Sequence, residues 1–68
     1  MTFVDRLSIC IEEDYQKSLI TETAKDITVK AIKKGLISTP AEFYAFCKSM
    51  LYEEEINIQE FRQLEYYI

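Results

Sequence analysis

Apolar residues recur at Phe43, Phe46, Cys47, Met50 and Leu51. That spacing places one stripe along one side of an α-helix. Thr39 is positioned as its N-cap and Pro40 suits the first helical position. Glu42 completes a Thr-x-x-Glu capping box. The pattern predicts a helix over 40–54. A second start signal follows. Asn57 and Glu60 form another box, and Ile56 and Phe61 occupy the two positions of a hydrophobic staple. Phe61, Leu64 and Ile68 continue one face, with Ile58 beside them. This predicts a short helix over 58–67, which needs packing to hold it because isolated helices of that length are marginal. The C-terminal Tyr66-Tyr67-Ile68 therefore reads as the end of a core helix, and Tyr66 and Tyr67 cannot both face inward.

Upstream of Pro40, Ile20, Ala24, Ile27 and Ala31 share a helical face. Lys33 and Lys34 fall in the last turn, where positive charge suits the helix dipole. Gly35 then supplies a stop signal. Val29, Ile32 and Leu36 form a second apolar face, so this helix is either central or shared with another subunit. Nearer the N-terminus, Val4, Leu7, Ile11 and Tyr15 make another stripe, out of phase with the next. Either a break near 16–20 or one long helix packing different faces explains the offset. A competing reading takes the alternation of LSICI and the β-branched DITVKAI as strands. The expected fold is thus all-α, a small bundle of three to four short helices in one domain over 1–68. The alternative is α+β with two short N-terminal strands.

With a single Gly and a single Pro, the chain has few breakers, so most of it belongs in regular structure. A chain of 68 residues buries only about 60% of the surface its unfolded form exposes, so stability is expected to be thin. The net charge of −4 is unevenly spread. Four lysines and one acid occupy 24–38, between two acidic ends. Such a division serves internal complementarity or a docking site.

Candidate chemistry is sparse. The chain has no His, and Cys10 and Cys47 are far apart, so zinc ligation is not expected. The acidic runs at 12–14 and 53–55 lack the alternation and glycine of a calcium loop. There is no Gly-rich phosphate loop and no His base. Cys47 lies within the apolar stripe, where a thiol is normally inert. Neither enzymatic activity nor a cofactor or metal is expected. No signal-peptide pattern and no apolar run of membrane-spanning length is present, so a cytoplasmic location is expected. Phe, Tyr, Met, Ile, Asn and Lys outnumber Gly, Ala, Arg and Pro by 27 to 8, which points to A/T-rich coding DNA. Small acidic chains of that kind are common among phages and mobile elements, which would place this one in a host cytoplasm.

The segments around Gly35 outline a helix-turn-helix, but the second helix opens Pro40-Ala41-Glu42-Phe43-Tyr44-Ala45, with no base-reading side chain. Its acidic balance also lacks the electrostatic footprint of a nucleic-acid binder. Lys25, Lys30, Lys33 and Lys34 are the only basic patch. Protein binding fits better. Tyr44, Lys48 and Tyr52 form a ridge beside the core stripe, followed by Glu53, Glu54 and Glu55. With Tyr66 and Tyr67 they make an aromatic surface with an acidic rim, suited to a larger partner with a basic surface. The expected function is a small acidic protein-binding module: an inhibitor, modulator or adaptor of a larger protein, such as one that handles nucleic acids. The alternative is a homodimeric helical regulator with weak nucleic-acid binding through the lysine patch.

Overall fold

In a computed structural model describing residues 1–68, four side-chain caps start four helices. Thr2 caps α1 (Phe3–Gln16), Thr21 caps α2 (Glu22–Lys33), Thr39 caps α3 (Pro40–Tyr52) and Asn57 caps α4 (Ile58–Glu65). Each cap oxygen accepts the N–H three residues on, satisfying a donor that the first turn leaves free. The reciprocal box forms at Asn57 with Glu60, and also at Thr2 with Asp5. At Thr39 the expected box is shifted by one residue. Glu42 reaches back to Ser38, whose N–H (3.0 Å) and hydroxyl (2.6 Å) both donate to Oε1. Two donors on Ser38 outcompete the single Thr39 N–H.

Three of the helices stop the same way. After α2, Gly35 takes φ 72°. Its N–H donates to Ile32 O and that of Leu36 to Ala31 O, both at 3.0 Å. This pair of bonds is a Schellman motif. Ser18 and Glu54, each at φ 61°, repeat it after α1 and α3. The stop at Ser18 settles the N-terminal region as two helices with a break at 17–21. The stop at Glu54 ends α3 at Tyr52, two residues short of the predicted 40–54. The last helix also closes early, at Glu65 rather than residue 67.

No strand forms. LSICI lies inside α1 and DITVKAI inside α2. The β-branched residues of α2 are accommodated because the helix packs against α1 and α4, and such packing overrides weak local propensity. Thr28 is fully buried there, its hydroxyl without a partner.

The core gathers residues from every helix. Leu7 and Ile11 come from α1, Ala24 and Ala31 from α2, Phe43 and Cys47 from α3, and Phe61 and Leu64 from α4. Ile20, Ile37 and Ile56, from the connections, close it. Ile56 and Phe61 are both buried, as the staple requires. The Phe3 ring lies 6.1 Å from Phe43 and ties α1 to α3. Ile68 does not complete the inward face of α4: the helix has ended, and the side chain is half exposed. Ile58 is likewise exposed. The result is an all-α bundle of four helices, α1 along α2 and α3 along α4, with α2 crossing to α4. No helix is long and apolar enough to cross a membrane.

Candidate functional site

The residues read from sequence as one aromatic, acidic surface separate into three places. Tyr44 packs its ring 6.1 Å from Phe61, and the Lys48 ammonium lies 5.4 Å over the Tyr44 ring. These two therefore form one ridge, as their spacing predicts, with Tyr44 occupied in covering the core edge. Tyr67 is half-buried and donates its hydroxyl to Asp14 of α1. Burial and then that carboxylate raise the phenol well above its ordinary value. Tyr66 stacks edge-on against Tyr67 with centroids 5.7 Å apart, and is itself exposed.

Tyr66 and Tyr67 lie by the start of α3, since Tyr67 and Ile68 share a recess with Pro40. Tyr52 ends the same helix twelve residues later, about 18 Å along its axis. The two tyrosine groups thus occupy opposite ends of α3.

At the Tyr52 end, the left-handed turn at Glu54 carries Glu53, Glu54 and Glu55 outward before Ile56 dives into the core. Tyr52 is 86% exposed and no aromatic or cationic side chain covers it. A shallow recess of about 460 Å³ opens at this corner. Leu51 and Ile56 supply its apolar wall, and Glu54, Glu55, Asn57 and Glu60 its polar one. Glu60 is nearly buried. One of its oxygens accepts the Asn57 N–H at 2.9 Å and the other accepts the Thr21 hydroxyl from the start of α2. Thr21 in turn accepts the Ala24 N–H through its hydroxyl and donates its own N–H to Gln63 Oε1. The corner is therefore anchored to α2 as well as α3.

The lysines are also divided. Lys25 is drawn inward, its ammonium 4.5 Å over the Tyr15 ring and 3.4 Å from Asp26. Lys30, Lys33 and Lys34 remain exposed. Lys30 and Lys34 flank a recess between α2 and α3 whose lining is otherwise apolar. The sequence assigns Ile27, Ala31, Phe46 and Met50 to core stripes and Leu36 to the second face of α2; of that second face only Leu36 lines the recess, while Val29 and Ile32 pack against the core.

Both cysteines are free thiols. Burial pushes the Cys47 thiol up to about 12, which keeps it protonated and unreactive. Comparison with protein families, with curated proteins and with solved structures found no match to this chain.

Proposed function

We propose that this chain is a small acidic protein-binding module that acts without a catalytic step, as an inhibitor, modulator or adaptor of a larger protein. The observation that carries this reading is the α3–α4 corner, where an uncovered tyrosine stands beside a glutamate-lined recess. Tyrosine supplies large, stiff contact area with a polar tip, the combination enriched in binding hot spots. The recess presents carboxylates beside apolar wall, so a lysine or arginine side chain can lay its stem on Leu51 and Ile56 and its charge among the acids. Acidic surroundings select basic partner surfaces and speed encounter. Proteins that handle nucleic acids carry such surfaces.

Of the tyrosines first grouped together, Tyr52 is the one with no intramolecular task. Tyr44 covers Phe61 and Tyr67 bonds Asp14, so their loss disturbs the fold as well as any contact. The test uses affinity-tagged protein to capture partners from cells of its source, with recovery compared among variants. Tyr52→Ala is expected to lower recovery of the partner at least about tenfold, as loss of a hot spot does. Glu54→Lys with Glu55→Lys is expected to do the same, and Tyr66→Ala, at the far end, to leave recovery intact. Equal recovery with Tyr52→Ala would remove the corner as the binding site.

A further inference from the structure

The geometry points to a second docking surface, the groove between α2 and α3, as a receptor for an acidic amphipathic helix of another protein. Ile27 and Ala31 of α2 face Phe46 and Met50 of α3 across a recess of about 240 Å³. Leu36, 57% exposed at the end of the α2 stop, forms its lip. Pairwise packing joins α1 to α2 and α3 to α4, which leaves these two helices splayed on this side. The space suits one or two large apolar side chains and is smaller than the pockets that enclose small ligands.

Charge selects the occupant. Lys30 and Lys34 are the only ionisable groups lining the groove, and no carboxylate lines it. Lys33 is exposed in the same last turn of α2. Asp26, the one acid of this segment, is engaged by Lys25. The groove is thus apolar with a basic rim on a molecule of net charge −4, and it complements an apolar stripe bordered by Glu or Asp. Helical form follows from the walls. Both are α-helices with their backbone groups satisfied internally, so no sheet edge is offered to an extended peptide, and a third helix laying anchors into the groove is the mode that remains. A second copy of this chain is a poorer occupant. Two-fold pairing would set the lysines of both copies against each other.

The probes are two fluorescein-labelled synthetic helical peptides, about 16 residues long, with leucines at i, i+3 and i+7. One carries Glu at every flanking position and the other Lys. By fluorescence anisotropy, the Glu peptide is expected to bind saturably and at least about tenfold more tightly than the Lys peptide. Lys30→Glu with Lys34→Glu should reverse that preference. Leu36→Asp, at an exposed site, should weaken both peptides while circular dichroism stays unchanged. Tyr52→Ala should leave peptide binding intact, which separates this groove from the α3–α4 corner. Absence of binding, or equal binding of the two peptides, would overturn the assignment. So would sedimentation showing a concentration-dependent dimer that Leu36→Asp abolishes, because a second copy would then be the occupant.

Discussion

Glu54 holds a left-handed backbone conformation, φ 61°, that glycine adopts freely and side-chain-bearing residues only at a cost. It does so because the Schellman bonds of Glu54 and Glu55 to Leu51 and Met50 terminate α3 there. Ser18 is in the same position after α1. Replacing Glu54 by Gly is expected to raise stability by about 0.5–1 kcal/mol, the gain being limited by the looser unfolded chain. Glu54→Ala, which retains a Cβ, should give no such gain; urea melts of the two variants make the comparison. Only the Gly35 stop is legible from residue type. Ser18 and Glu54 carry no local signature, and reading them as helix or loop requires knowing which carbonyls the next N–H groups reach. This is why the predicted helix 40–54 runs two residues past the observed end at Tyr52.

Among elements, a shared cap links α2 to α4. Glu60 closes the box of α4 and accepts the Thr21 hydroxyl that caps α2. The first half is written in the Asn57-x-x-Glu60 spacing; the second joins residues 39 apart in sequence and has no local trace. A double-mutant cycle with Thr21→Ala and Glu60→Gln is expected to show coupling of about 1 kcal/mol or more, because the contact is charge-assisted and half-buried. Additive denaturation midpoints would mean the two caps act independently. The same sharing explains why an acid sits nearly buried at the end of an acidic recess.

At the scale of the molecule, the C-terminal residues tie the end of α4 to the last turns of α1. The Tyr67 hydroxyl donates to Asp14 across 53 residues, and Leu64, just before it, is fully buried. The phenol titrates above its ordinary value of 10.0 in the folded protein. Between that value and the raised one, the folded state holds a proton that the unfolded state has released. Stability from this group is therefore complete below about pH 10 and falls as pH rises further. The advantage of wild type over Tyr67→Phe in urea midpoint is expected to shrink from pH 9 to about 11.5. A difference that stays constant over this range would show that the hydroxyl makes no pH-linked contribution.

The helical class and the approximate limits of α3 and α4 follow from the sequence by itself, because caps and apolar periodicity act over three or four residues, whereas the division of the N-terminal half into α1 and α2 rests on the Ser18 stop, which has no local signature. The same holds for the inward faces of α3 and α4 as far as Leu64. What only the tertiary structure decided is which apolar and aromatic residues remain uncovered. Tyr44, Tyr52, Tyr66 and Tyr67 look alike in a string. Phe61 claims the first and Asp14 the last, while Tyr52 and Tyr66 project at opposite ends of α3. The lysines divide in the same way, Lys25 turning to Tyr15 and Asp26 while Lys30 and Lys34 border the groove. A surface is defined by what the rest of the chain fails to cover, and that depends on helix packing between residues distant in sequence.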